Sequence, residues 1–160
     1  MELILPDEAA TTAAGAALAR SLPAEIGRQS LLLNLSGELG SGKTTLARGL
    51  LRALGVVGTI RSPTFTLVEP YETKRGVVYH LDLYRLDAGT QELEALGYRD
   101  LRAEPGLVIV EWPERAGALL GIPDVAGTLE LEGPGRRLVL EAGAPVGRHW
   151  LEALSRAAVS

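Results

Sequence analysis

A glycine-rich segment of eight residues, Gly37 to Thr44, constrains the fold of this chain more than any other feature. It reads Gly-Glu-Leu-Gly-Ser-Gly-Lys-Thr, which is the spacing of a P-loop. The preceding run, Ser30 to Ser36, is short and continuously apolar, so it predicts a buried strand. From Lys43 onward leucines recur on one helical stripe, and Gly55 is a suitable end for that helix. The order of strand, glycine loop and helix predicts an α/β domain with a phosphate site.

The residue types of the loop suit a nucleoside triphosphate. Glycines let backbone N–H groups converge on one anion, and the helix N-terminus adds a partial positive charge there. Lys43 is expected to reach the β- and γ-phosphates, and the Thr44 hydroxyl to bind Mg²⁺. The predicted nucleotide-binding residues of the loop are Leu39, Gly40, Ser41, Gly42, Lys43, Thr44 and Thr45.

Two acidic residues at strand ends are candidates for the carboxylate that a P-loop site needs near Mg²⁺. Asp82 follows the run Val77 to Leu81, and Glu111 follows Leu107 to Val110. The second run is more typical of a buried strand, and such sheets bind ligands at the carboxyl ends of strands. Glu111 is therefore favoured as the metal ligand, with Asp82 as a base or water-positioning group. Either residue alone is also compatible with an ordinary acid on a loop.

Several other residues allow both a functional and a structural interpretation. Ser62-Pro63-Thr64 supplies hydroxyls near the γ-phosphate, as switch segments do, or forms a turn before a strand. His80 is more typical of a packed or partner-facing histidine than of a catalyst, since no metal-ligand spacing surrounds it. Trp112 is compatible with core filling and with an exposed contact. Three arginines are candidate phosphate contacts: Arg61, Arg85 and Arg136.

The rest of the chain predicts further strands and helices around this site. Asp7 is a suitable N-cap for a helix that runs to about Leu22. The other predicted strands are Glu2–Leu5 at an edge, Phe65–Tyr71 and Val77–Asp82 as a hairpin turning at residues 74–76, and two near Thr128–Glu132 and Arg137–Glu141. The other predicted helices are Thr90–Leu96 and Gly147–Ala157, and residues 121–127 and 133–135 are predicted loops. The length of 160 residues favours one domain, residues 1–160.

Composition and absent motifs limit the function further. The net charge is −4 and no run of lysine or arginine occurs, so binding of tRNA without a partner, or of DNA, is not expected. The absence of cysteine excludes disulfides, thiolate zinc sites and thiol nucleophiles. An acidic N-terminal segment and the lack of a long apolar stretch predict a cytoplasmic protein without a membrane span. The single asparagine, Asn34, precedes the P-loop, so the Asn-Lys-x-Asp box that reads guanine in GTPases is absent after the P-loop. A standard GTPase is therefore disfavoured. A small ATPase or a small-molecule kinase remains.

The ordered motifs resemble the TsaE family, formerly YjeE, of bacterial proteins in tRNA threonylcarbamoyladenosine biosynthesis. They are the P-loop with Thr45, Ser62–Val68, His80–Leu86 and Val110–Glu114, and the resemblance covers about Pro6 to Arg115. The resemblance implies a single P-loop NTPase domain in which helices flank a mixed central sheet.

The same resemblance implies an ATP hydrolase of low intrinsic activity, with ATP and Mg²⁺ as ligands. It implies action on a complex of TsaB and TsaD, which transfers the group made by TsaC, so that tRNA is met only through that complex. A P-loop small-molecule kinase and a non-catalytic nucleotide sensor are the alternatives. The implied site residues are Lys43 at the phosphates, Thr44 and Glu111 at Mg²⁺, Asp82 and Thr64 in hydrolysis, and Arg136 at the nucleotide.

Overall fold

The computed structural model describes residues 1–86 and 90–159, which form seven strands joined by helices. The strands are β1 (Glu2–Leu5), β2 (Ser30–Gly37), β3 (Val68–Thr73), β4 (Gly76–Asp82), β5 (Gly106–Glu111), β6 (Val125–Glu132) and β7 (Gly135–Ala142). The α-helices are α1 (Glu8–Arg20), α2 (Lys43–Ala53), α3 (Thr90–Ala95), α4 (Tyr98–Ala103) and α5 (Pro145–Val159). Short 3₁₀ helices span Ala24–Gly27, Pro113–Arg115 and Gly117–Leu120. Within these described ranges, no helix is both long enough and apolar enough to cross a membrane.

The strands form one mixed sheet in the order β1-β7-β6-β2-β5-β4-β3. The four inner strands β6, β2, β5 and β4 are parallel neighbours, and the outer strands pair antiparallel. In the β4–β5 register Asp82 lies opposite Glu111, and in the β2–β5 register Leu35 lies opposite Glu111. The carboxyl ends of these three strands therefore meet at one edge of the sheet, where the P-loop begins.

Helices cover both faces of the sheet, each over its own core. Helices α1, α2 and α5 cover one face, where Trp150 is fully buried and its indole N–H donates to Leu18 O at 3.0 Å. Helices α3 and α4 and the later 3₁₀ turns cover the other face, around Leu32 and Val110. The predicted α/β fold, a mixed central sheet flanked by helices, is confirmed.

Helices α1 and α2 approach each other so closely that two positions accept only glycine. A methyl group on Gly15 would overlap the backbone oxygen of Leu46 in α2. A methyl group on Gly49 would likewise overlap the backbone oxygen of Thr12 in α1. Side chains in a packed interior interdigitate with little free space, so backbone-to-backbone contact of this kind needs the smallest residue. The helix that follows the P-loop is therefore held directly against α1.

The predicted edge strand Glu2–Leu5, the Asp7 cap and the hairpin of β3 and β4 are confirmed. The Asp7 carboxylate accepts from the backbone N–H of Ala10 at 2.8 Å. Helix α1 ends at Arg20 and not near Leu22, because Ser21 is its C-cap. The hydroxyl of that serine donates to the carbonyl oxygen of Ala17 at 2.8 Å, which suits a helix end.

Two predictions about other segments were wrong, and one helix was missed. The strand predicted from Phe65 begins at Val68, because Leu67 N donates to Pro63 O at 2.8 Å in a turn and Leu67 has a φ of 66°. The predicted loop at residues 121–127 ends earlier, since β6 begins at Val125. Helix α4 was not predicted at all.

Candidate functional site

A pocket of about 400 Å³ lies at the carboxyl edge of β2, β4 and β5. The P-loop, the first turn of α1, the segment after α2 and the ends of three strands form its walls. Its lining residues are Glu8, Thr11, Leu39, Gly40, Gly42, Lys43, Thr44, Thr45, Ser62, Thr64, Asp82, Tyr84, Glu111, Trp112 and Arg136. Of the residues predicted for the P-loop, the metal and hydrolysis, only Ser41 does not line the pocket, because it is buried beneath the loop.

The P-loop takes a backbone path that requires glycine. Gly37, Gly40 and Gly42 all have positive φ angles, of 148°, 78° and 103°. Space is also tight at Gly37, where a methyl group would lie 2.5 Å from Leu129 O and from Ser41 Oγ. Gly42 is the N-cap of α2 and offers no side chain to the first N–H groups of that helix. Such a helix start suits binding of an anion.

Lys43 is almost fully buried, with 4% of its surface exposed. Its ammonium donates to the backbone oxygens of Gly37 at 2.6 Å and Glu38 at 2.9 Å, so it lies directly under the loop. Burial lowers the pKa of this ammonium below its ordinary value, because a charged group loses solvation there. Three nearby carboxylates oppose the shift: Glu111, Glu114 and Asp82.

Trp112 packs over this lysine and also borders the pocket. The Lys43 ammonium lies 4.3 Å from the centre of the Trp112 ring, which is a cation–π contact. The centre of the Tyr84 ring lies 5.0 Å from the centre of the Trp112 ring. Trp112 has a φ of 59°, a left-handed conformation that is uncommon for a bulky residue. Both sequence interpretations of this half-buried residue, packing and an accessible contact, therefore describe part of its position.

Thr44 and Glu111 are brought into direct contact by the meeting of α2 and β5. The Thr44 hydroxyl donates to Glu111 Oε1 at 2.8 Å, and Glu111 is only 2% exposed. A hydroxyl and a carboxylate are hard oxygen donors of the kind that Mg²⁺ prefers. The residues present thus fit the divalent cation that the sequence predicts.

Asp82 lies beside this pair and connects the pocket to the segment after α2. Its Oδ2 accepts from Thr64 Oγ1 at 3.1 Å and from Ser62 Oγ at 3.5 Å. Its Oδ1 accepts from the backbone N–H of Tyr84 at 3.0 Å. The Ser62-Pro63-Thr64 segment is therefore part of the site, in addition to forming a turn.

The three candidate arginines have different positions. Arg136 lines the pocket, and its guanidinium donates to Gly40 O at 3.3 Å on the P-loop. Arg85 lies over the ring of Phe65, 4.2 Å from its centre, and does not line the pocket. Arg61 does not line the pocket either. Of the three, Arg136 is the one placed to meet a ligand.

Sequence reasoning missed three residues that line the pocket: Glu8, Thr11 and Tyr84. The cap at Asp7 located the first turn of α1, but its proximity to the P-loop depends on the packing of α1 against α2. Tyr84 comes two residues after Asp82, so the end of β4 was a usable signal for it.

A family model described as threonylcarbamoyl adenosine biosynthesis protein TsaE matches residues 5–138. The chain belongs to the TsaE family. The match continues past Arg115, where the resemblance of the motifs ends, and it includes every predicted site residue, Arg136 among them.

Individual TsaE proteins agree with this assignment, and one solved structure agrees with the fold. The tRNA threonylcarbamoyladenosine biosynthesis protein TsaE of Haemophilus influenzae is 35% identical over 151 residues, 94% of this chain and 95% of that protein. The Synechocystis sp. protein of the same name is 46% identical over 119 residues, 72% of this chain and 71% of that protein. The crystal structure of Bacillus subtilis YdiB matches the fold with a TM-score of 0.73 at 23% identity, covering 99% of this chain and 95% of that one.

Proposed function

We propose that this chain is a Mg²⁺-dependent ATP hydrolase that acts in tRNA threonylcarbamoyladenosine biosynthesis. The observation that carries the proposal is the 2.8 Å contact between Thr44 Oγ1 and Glu111 Oε1, in a pocket that also holds Lys43 and Asp82. Phosphoryl transfer to water needs positioned groups and charge neutralisation more than covalent chemistry. This set of side chains supplies both.

The phosphates are assigned to the P-loop side of the pocket. Backbone N–H groups of the loop and of the first turn of α2 donate to phosphate oxygens, and the Lys43 ammonium moves from loop carbonyls to the β- and γ-phosphates. Thr44 and Glu111 would hold Mg²⁺. When bound, that ion offsets negative charge on the phosphate oxygens. Arg136 reaches the nucleotide from the other side of the loop.

Asp82 is assigned to the attacking water. Its carboxylate is fixed by the hydroxyls of Thr64 and Ser62, so it can accept a hydrogen bond from a water molecule in the pocket. The oxygen of that water forms a bond to the γ-phosphorus while the bond from the γ-phosphorus to the bridging oxygen of ADP breaks. The proton of the water passes to Asp82 and then to the released phosphate. ADP and phosphate are the products.

The family assignment supports a proposal about partners and location. We propose that the chain acts in the cytoplasm on a complex of TsaB and TsaD, and that it meets tRNA only through that complex. The net charge of −4 supports this, since an acidic chain does not attract a phosphate backbone. Adding purified TsaB–TsaD to the chain is expected to raise its rate of ATP hydrolysis. An unchanged rate, together with normal modified tRNA in a deletion strain, would remove this part of the proposal.

Replacement of Lys43 by alanine tests the nucleotide site. We expect Lys43→Ala to weaken Mg·ATP binding at least about 100-fold, because several charge-assisted hydrogen bonds to phosphate are lost. Unfolding free energy should fall by about 1 to 3 kcal/mol, because the lost hydrogen bonds to loop carbonyls come from a charged donor. Isothermal calorimetry and chemical denaturation measure the two quantities.

The chain contains one other lysine, which makes a matched control. Lys74 lies in the exposed turn between β3 and β4, outside the pocket. Lys74→Ala removes the same charge and should leave Mg·ATP affinity unchanged. Equal affinity of the Lys43→Ala variant and the wild type would contradict the proposed phosphate site.

A further inference from the structure

The carboxylate of Glu111 is held at both of its oxygens, by residues from two different elements. Oε1 accepts from the Thr44 hydroxyl at 2.8 Å, as described above. Oε2 contacts His80 Nε2 at 2.6 Å. With Glu111 ionised, the hydrogen of this second contact lies on Nε2. The orientation of the Glu111 carboxylate is therefore fixed by His80 on β4 as well as by Thr44 on α2.

The sheet register explains how His80 reaches Glu111. His80 lies opposite Ile109, and Asp82 lies opposite Glu111, in the parallel pair of β4 and β5. Alternate residues of a strand share a face, so these four side chains lie on the same face of the sheet. His80 and Glu111 are diagonal neighbours there, at a separation that two long side chains span. The contact thus follows from the same register that brings Asp82 to the pocket.

Packing alone does not explain why a histidine occupies this position. His80 is fully buried, and its Nδ1 has no hydrogen-bond partner among the residues that the structure describes. Burying a polar atom without a partner costs free energy, and an apolar side chain of similar size would avoid that cost. The ring nevertheless makes one short contact, and that contact is with Glu111. Its use therefore lies in what it does to this carboxylate.

We propose that His80 is a positioning residue for Glu111. By donating to Oε2 it keeps Oε1 directed at the Thr44 hydroxyl, where the two oxygens would hold Mg²⁺. The assignment rests on the proposed function, since it concerns how the metal carboxylate of that site is oriented. Groups that orient a ligating carboxylate in this way typically contribute about 10- to 100-fold in metal affinity or activity.

Three substitutions of His80 separate the hydrogen bond from simple packing. His80→Leu removes the donor and keeps an apolar side chain, so turnover should fall about 10- to 100-fold. His80→Gln places an amide N–H at the reach of Nε2 and should restore most of the lost turnover. His80→Asn places its amide only at the reach of Nδ1 and should behave like His80→Leu. Equal turnover in the Gln and Leu variants would overturn the proposal.

The kinetic parameters distinguish positioning from a general structural role. In His80→Leu the kcat should fall, and the Mg²⁺ concentration for half-maximal rate should rise about tenfold. The KM for ATP at saturating Mg²⁺ should stay within about threefold of the wild type, because the P-loop contacts are intact. Val78→Ala is the control: it opens a cavity two residues earlier on the same face and lowers stability without raising the Mg²⁺ requirement. If Val78→Ala raised that requirement equally, the role of His80 would be structural.

A measurement without metal or nucleotide tests the contact itself. The chain has two histidines, so the His80→Gln variant assigns the imidazole ¹⁵N signals of His80. We expect its hydrogen on Nε2, and we expect that signal to shift in Glu111→Gln. A hydrogen on Nδ1 alone, or no shift, would overturn the proposal whether or not the chain hydrolyses ATP. Failure of the wild-type chain to bind Mg·ATP would instead refute the proposed function and leave this contact intact.

Discussion

The P-loop wall of the pocket, Gly37–Thr45, and the facing wall, Ser62–Leu67, border the same space but are held by different kinds of contact. The P-loop wall joins a buried strand to a buried helix, and its Lys43 and Ser41 lie inside the protein. The facing wall contains no helix or strand, and Phe65 within it is 80% exposed. Backbone packing fixes one wall, whereas the other is held to Asp82 by side-chain hydrogen bonds from Ser62 and Thr64 and by one backbone bond, from Asp82 N to Leu67 O.

The difference separates the tasks of the two walls. A phosphate cradle must keep its N–H groups in place before a ligand arrives, so a rigid backbone suits it. Segments that respond to a ligand come from the less stable parts of a fold, where few apolar contacts must be broken. Substitutions at closely packed glycines of the P-loop wall should therefore lower stability, whereas substitution of Asp82, to which the facing wall is bonded, should lower turnover with little effect on folding.

The largest effect is expected for Gly37→Ala. Its methyl group would lie 2.5 Å from Leu129 O and Ser41 Oγ, on a backbone with positive φ. Steric overlap and the strained φ together should lower the unfolding free energy by about 3 kcal/mol or more. Chemical denaturation measures this value.

Gly40→Ala is the control in the same loop. Gly40 also has a positive φ, but a methyl group there meets nothing within 4 Å. Its cost should be only the strain of a left-handed residue, about 1 to 2 kcal/mol. Equal destabilisation by the two variants would show that close packing does not hold the P-loop wall.

A large effect on turnover, without one on folding, is expected for Asp82→Asn. The amide keeps the shape of the side chain but accepts protons poorly, so kcat should fall about 100-fold. Affinity for Mg·ATP should change little, because the phosphate contacts come from the P-loop wall. Steady-state hydrolysis and calorimetry measure both values. A kcat near that of the wild type would contradict the assignment of Asp82 to the attacking water.

The smallest effect is expected for Phe65→Ala. The ring is mostly exposed and contacts the Arg85 guanidinium, so little apolar burial is lost. Unfolding free energy should change by less than about 0.5 kcal/mol, as for most surface substitutions. The basal rate of ATP hydrolysis should stay the same. A loss above about 1 kcal/mol would mean that the facing wall is packed as firmly as the P-loop wall.

The sequence predicted the parts of the site that local patterns determine. The strand, the glycines and the helix of the P-loop are contiguous, so their geometry needs no knowledge of the sheet order. Asp82 and Glu111 were both expected at strand ends, and parallel pairing brings such ends together. Which of the two binds the metal stays a prediction.

Features that depend on neighbours distant in the sequence were not predictable. The bond from His80 to Glu111 requires the exact pairing of β4 with β5, which nothing near His80 specifies. The left-handed backbone of Trp112 contradicts the ordinary preference of a bulky residue. Helix α4 begins after Gly97, which offers no side-chain cap, so no start signal marked it in the sequence.

The contact of Gly15 and Gly49 with the facing backbones has a consequence for pocket width. Side chains accommodate small displacements by changing rotamer, but two backbones in direct contact cannot. Thr11 in α1 and Lys43 in α2 therefore belong to one rigid pair of helices, although more than thirty positions separate them in the chain. The packing of α1 against α2 therefore limits how far the pocket can widen between these two residues.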